Sequence, residues 1–366
     1  MNGKADLGTV QALRAVACSL VVVYHATNYP PGAAERWPNG AAGVDLFFAI
    51  SGYVMMVSSR RQRANPHGAR HFLLQRARRI MPLYWLCTAA KLACVALVPM
   101  LAPQTRPTGW NLAASLFFIP ARDRLGVVRP VLPVGWTLNF EALFYVLFAV
   151  ALAARVHPLW ISPALLALAV AGFRRDAAWP APLFWANGLV LEFAAGMALA
   201  CVPWRVAPRA APWLLAAGAM LLLTLPSAGP WRFLLWGVPA AAILAACLAL
   251  EPSAGARLPA PLRAVGNASY AIYLVHPLIV PALARHGALA AAASVPLSIG
   301  AGVLVHRWLD ATASGRPAAG SAALCGWRGR LVRVTAPLRG GAAITFRPPR
   351  LAHVTAVQDQ PMVRMP

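Results

Sequence analysis

The 366-residue chain carries 33 Lys and Arg against 10 Asp and Glu, a formal net charge of +23. Yet only 12% of its residues are charged, 59% are hydrophobic, and the mean hydropathy is +0.60. Soluble domains average about 25% charged residues, so this composition excludes a string of soluble domains and points to one polytopic, all-α membrane domain. The basic excess does not make nucleic acid a partner. Arg60, Arg61, Arg63, Arg70, Arg76, Arg78 and Arg79 crowd one loop between apolar runs, and a second block follows residue 306. Such clustering marks cytoplasmic loops, with anionic membrane lipids as the generic partner.

Apolar runs predict ten membrane-spanning helices, at 8–27, 43–58, 80–101, 134–153, 158–173, 183–202, 209–226, 231–250, 268–287 and 288–308. The first run resembles a signal peptide in position only. Arg14 interrupts it and no small-x-small cleavage site follows His25, so an uncleaved span is expected. Ten spans put both termini on one side, which the arginine-rich 59–79 loop assigns to the cytoplasm. The 102–133 segment then lies outside, with Arg106, Arg122, Arg124 and Arg129 as a mild breach of the charge rule. Within it, WNLAASLFFIP (110–120) is too short to span and is expected in the interface or re-entrant. Pro239 and Pro277 fall inside predicted spans, where a missing N–H favours a kink. Five cysteines (Cys18, Cys87, Cys94, Cys201 and Cys247) sit in apolar runs without metal-ligand spacing and read as packing residues. Residues 1–310 thus form the membrane domain. Residues 311–366, rich in Gly, Pro and Arg with Asp359 as their one acid, are expected to be a disordered cytoplasmic tail.

Ionisable side chains inside spans are costly and mark sites. Arg14 lies toward the cytoplasmic half of the first helix and His25 near its external end. Eleven residues make three turns, so both project from one face about 16 Å apart. Asp45 opens the second span and Glu141 the fourth, both from outside, so His25, Asp45 and Glu141 are expected to converge in the external half. That grouping suits general-base catalysis, with an imidazole near pKa ~6.5 oriented by a carboxylate. Plain structural readings stand beside it: His25 as an interfacial histidine, Asp45 as a helix N-cap. Glu192 is a further intramembrane acid with no evident partner. Arg76 and Arg79 share a helix face if the third helix starts early, and could clamp phosphates or simply anchor the boundary. No Walker loop, G-x-S-x-G, HExxH or CxxC is present, and no metal site is expected.

Taken together, LRAVACSLVVVYHA with its Arg14-x10-His25 pattern, GVDLFFAISGYVM, FLLQRARRIMPLYWL with Arg76-x-x-Arg79, ASLFFIP, GWTLNFEALFYVLF and VGNASYAIYLVHPLIV resemble the membrane-bound acyltransferase 3 family of bacterial O-acyltransferases. The resemblance covers roughly residues 8–308 in order. It implies a multi-pass inner-membrane enzyme that passes an acyl group, commonly acetyl, from acyl-coenzyme A to a hydroxyl of a surface or exported glycan. It further implies His25 as the catalytic histidine, acting directly or as an acyl relay, and Arg14, Arg76 and Arg79 as donor-binding residues. Trp136, Tyr145, Tyr270 and His276 match other family positions. The final span departs from the pattern, with Asp310 where a glutamate is usual and no proline directly after. A transporter using His25, Asp45 and Glu141 as a proton relay is the reading from another class, but no inverted repeat supports it.

Overall fold

The computed structural model describes residues 7–29, 36–60, 62–102, 105–176, 178–201, 206–226 and 229–314. Most of the expected tail therefore lies outside the described residues. Eleven α-helices occur among them: α1 (Gly8–Thr27), α2 (Gly43–Ser58), α3 (Gly68–Leu97), α4 (Gly109–Leu116), α5 (Trp136–Ala153), α6 (Ser162–Gly172), α7 (Val190–Cys201), α8 (Ala211–Thr224), α9 (Val238–Ala254), α10 (Ala260–Ala284) and α11 (Ala288–Ser314). Among the described residues there is no strand, only an isolated bridge between Arg122 and Val128. The protein is an all-α, multi-pass membrane protein. Helices satisfy every backbone polar group within the segment, as a lipid interior requires.

Each of the ten predicted segments holds a helix, but they are not of one kind. Seven helical segments are long and apolar enough to cross a bilayer, whereas those at Pro158–Gly172, Val190–Cys201 and Ala211–Thr224 are shorter. The predicted 183–202 span shrinks because proline-led 3-10 structure occupies Ala181–Trp185, and α7 begins only after it. The third helix starts at Gly68, twelve residues before the predicted boundary. The polar run GARHFLLQRARR is rich in good helix formers and continues the helix beyond its apolar part. Near Pro239 the expected irregularity is a π turn over Phe233–Gly237 leading into α9. A proline without N–H cannot make the usual bond one turn back, and the turn widens. The 110–120 segment forms the short α4, capped by Thr108, whose side chain accepts from Asn111 N at 3.0 Å.

Lipid is as apolar as leucine, so close helix approach through small residues has to supply the packing. Helix α1 is the hub, touching α2, α9, α10 and α11. Its first turn is held by Glu251 at the end of α9, which accepts from Gly8 N and Thr9 N, each at 2.8 Å. Helices α2 and α7 meet through Gly52 and Gly196. A Cβ on Gly196 would lie 2.0 Å from the Ala49 carbonyl oxygen, and one on Gly52 2.2 Å from that of Phe193. An aromatic core of Phe48, Phe72, Phe140, Phe144, Phe148 and Phe193 joins α2, α3, α5 and α7. Cys18, Cys87 and Cys247 are buried in the packed interior.

Candidate active site

Helices α1 and α10 run side by side in the same direction. At Gly266 a Cβ would lie 2.0 Å from the Gln11 carbonyl oxygen, so only glycine allows this approach. One turn on, Arg14 donates to Ser269 Oγ through Nε (3.1 Å) and Nη2 (2.8 Å). Three turns above Arg14, His25 sits beside His276, ring centroids 4.9 Å apart. The shared face predicted for Arg14 and His25 is thus the face that meets α10.

A cavity of about 110 Å³ opens beside this pair of helices, lined among others by Arg14, Arg76, Arg79, Glu141, Tyr145 and Tyr270. That is room for several water-sized molecules. Arg76 and Arg79 are one helical turn apart on α3, as an early helix start requires. Arg76 is buried; it donates to Ser58 Oγ at 2.7 Å and packs over the rings of Phe72 and Tyr145. Its Nε, equally buried, meets no protein acceptor. Arg79 is exposed at the cavity rim. Glu141 accepts from Ser51 Oγ at 3.3 Å and from the Tyr145 hydroxyl, and it interacts with Arg14. Tyr270 donates to the Ile80 carbonyl at 2.8 Å and ties α10 to α3. Three guanidinium groups against one carboxylate leave the cavity lining positive, which suits a phosphate-bearing ligand.

His25 does not line this cavity. Tyr273 and Phe47 do, and Tyr273 also packs edge-on against His276 at 5.8 Å, so these two rings lie between the arginines and the histidines. The Tyr273 hydroxyl bonds Thr137 Oγ1 (3.0 Å) and the Val134 carbonyl (3.1 Å). His25 Nδ1 lies 2.9 Å from the Val21 carbonyl, and His276 Nδ1 3.2 Å from that of Ile272. A carbonyl only accepts, so in each ring Nδ1 carries the proton and Nε2 is the basic nitrogen.

Comparison with known proteins now bears on this arrangement. The family described as "Acyltransferase domain" matches residues 8–306. The chain is also 37% identical to the "Exopolysaccharide production protein ExoZ" of Rhizobium meliloti (strain 1021) over 319 residues, 83% of this chain and 95% of that protein. The chain belongs to the acyltransferase 3 family. It is therefore a membrane acyltransferase. No solved structure matches it significantly.

Within this acyltransferase the expected trio of His25, Asp45 and Glu141 does not assemble. Asp45 is wholly buried and held by Arg232 in a two-pronged ion pair, Nε to Oδ1 at 3.1 Å and Nη2 to Oδ2 at 2.7 Å. Arg232 also donates to the Ala41 carbonyl and stacks over Trp236 at 4.8 Å. Nor is Asp45 an N-cap, since the capping position is Ala42 and no side chain caps the helix. Glu192 finds its neighbours here, beside Asp45 and Arg232, with room for its side chain provided by Gly237. Glu141 belongs to the arginine cavity instead. Trp136 packs on Phe140 and Phe184 and does not line the cavity. Sequence reasoning missed Arg232, although a lone arginine at the start of an apolar run is the same kind of signal that singled out Arg14. It also gave no part to Ser51, Ser269 and Tyr273, whose types are unremarkable in a span. Among the described residues no three of His, Cys, Asp and Glu group as metal ligands.

Proposed function

We propose that this acyltransferase, through its 1–310 domain, moves an acyl group, acetyl in the simplest case, from acyl-coenzyme A to a hydroxyl of an exopolysaccharide at the bacterial inner membrane. The observation that carries this reading is the column along α1 and α10: guanidinium groups around a cavity in one half, a basic histidine pair in the other. The named role of the relative in exopolysaccharide production supports the acceptor class. The unpartnered Nε of Arg76 and the exposed Arg79 fit the phosphates of coenzyme A, and the reading puts both termini in the cytoplasm with the arginine rim facing it.

His25 then acts as general base. Its Nε2 takes the proton of the acceptor hydroxyl while the oxygen bonds to the thioester carbonyl carbon. The C–S bond breaks, and the departing thiolate recovers the proton from the imidazolium. The Val21 carbonyl fixes the ring's tautomer, the task usually given to a carboxylate. Tyr273 and Phe47 have to yield before the thioester reaches His25. Mass analysis of the surface glycan from cells carrying His25→Ala tests the reading. One acyl mass is expected to be lost, with transfer down about 10³-fold and membrane abundance unchanged. Undiminished acylation would refute it.

A further inference from the structure

The segment 102–133 carries Arg106, Arg122, Arg124 and Arg129 against a single acid, Asp123. It joins α3 to α5. Arg285, just past α10, donates to Met100 Sδ at 3.0 Å, so the segment lies at the end of the bundle where α1 and α10 finish. The arginine-rich 59–79 loop is at the other end. The rule that keeps basic loops in the cytoplasm is served by that loop and gives the 102–133 arginines no topological task.

These arginines stand on a fixed framework. Arg122 and Val128 bridge across a tight turn, with Gly126 at φ 76°. Asp123 is buried within it and accepts from Leu125 N (2.8 Å), Val127 N (3.1 Å) and Arg129 Nε (2.7 Å). Arg122 donates to the carbonyls of Gly126 (2.6 Å) and Trp179 (2.8 Å), which anchor its guanidinium without cancelling the charge. The one acid is thus taken up by Arg129 and by the turn itself. Arg106 and Arg124 remain, both exposed, on backbone segments tied by Arg124 N to the Arg106 carbonyl at 2.9 Å. Among the described residues no acidic group pairs with either. The same segment reaches the histidines. Val131 N donates to Ser115 Oγ at 3.0 Å, and three residues on, the Val134 carbonyl accepts from Tyr273, whose ring lies against His276.

We propose that Arg106 and Arg124 form a docking surface for the carboxylate groups of an acidic polysaccharide, which they hold at the histidine end of the enzyme. This rests on the acyltransferase reading above and adds to it the charge of the acceptor. A guanidinium fork matches a carboxylate through two parallel hydrogen bonds. Two such groups on one fixed turn suit carboxylates repeated along a chain, because the second contact forms at high effective concentration. A field of one sign also raises the local concentration of an oppositely charged polymer. The surface touches no reacting atom, so it acts on acceptor binding and leaves the chemical step alone.

The test uses the purified full-length chain in nanodiscs of phosphatidylcholine, so that no anionic lipid competes. Binding of an oligogalacturonate, with a carboxylate on every sugar, is compared with that of a neutral maltooligosaccharide of equal length. The wild-type chain is expected to bind the acidic chain about tenfold more tightly, and Arg106→Gln with Arg124→Gln to remove most of that preference. Raising the salt from about 0.05 to about 0.5 M should weaken wild-type binding and change the variant little. With the host's own exopolysaccharide, stripped of acyl groups by mild alkali, the double variant is expected to raise the acceptor KM about tenfold, with kcat within about twofold. If the double variant does not accumulate, each single variant carries the test at about threefold. Equal binding of the two oligosaccharides, or a double variant that binds the acidic one as the wild type does, overturns the inference. So does a variant that loses only co-purifying phosphatidylglycerol, which assigns the surface to lipid headgroups. These outcomes leave the catalytic reading standing. Acylation that survives His25→Ala, with the carboxylate preference intact, refutes the catalytic reading alone.

Discussion

Helix α2 contributes to two charge clusters that differ in how they are closed: one is sealed in the bundle and one faces a cavity. On one side Asp45, Glu192 and Arg232 are sealed into the bundle, with the arginine fork closed on the aspartate and both Glu192 carboxylate oxygens buried without a hydrogen-bond partner. On the other, Arg14, Arg76 and Arg79 line an open cavity with a single carboxylate among them, and one guanidinium nitrogen is left without a protein partner. Both groups of charges are expensive to place in a membrane. Where the protein supplies the counter-charge itself, the cluster holds helices together. Where positive charge is in excess around a cavity, there is room and charge for an anionic ligand.

Three experiments sharpen or break that contrast. Asp45→Ala strands the Arg232 guanidinium and is expected to destabilise the fold by about 3–5 kcal/mol, seen as a lowered melting temperature in detergent. Pairing it with Arg232→Met should restore most of the loss. If Asp45→Ala melts normally but is dead, Asp45 belongs to the chemistry and the two clusters are not divided as described. The joint change of Arg76 and Arg79 to Gln is expected to raise the donor KM about 10–100-fold, with melting temperature little altered. An unchanged KM would make those arginines topological anchors. The mildest effect is expected from Tyr145→Phe, which frees Glu141 of one hydrogen bond and should change kcat by about tenfold or less. An effect as large as that of His25→Ala would instead bring Tyr145 into direct contact with the reacting atoms.

The legible part of this site was whatever spacing along one helix decides. Arg14 and His25 share a face because eleven residues are three turns, and Arg76 and Arg79 pair because α3 starts early. Which helix that face would meet was not legible. The partner of Asp45 lies 187 residues away in sequence, and His276 stands beside His25 because Gly266 lets α10 slide against α1. Depth in the membrane placed Asp45 and His25 at one level, but depth says nothing about rotation around the bundle axis. The short helices α6, α7 and α8 were overlong in prediction for a related reason. Hydropathy counts apolar residues without asking whether Pro182 or Pro212 lets a helix begin sooner.

Helix α3 is thirty residues long, a rod of about 45 Å, while bilayer hydrocarbon is about 30 Å thick. Its apolar part starts at Ile80, so the arginines at 76 and 79 stand at the hydrocarbon boundary and the polar turns before them stand beyond it. In the proposed reaction, a donor that rests its phosphates on that rim would leave its charge outside the electric field across the membrane, and only the uncharged thioester arm would enter. In the transfer proposed above, the acyl group would cross as an electrically silent cargo, and the cell's membrane potential would neither drive nor oppose its passage.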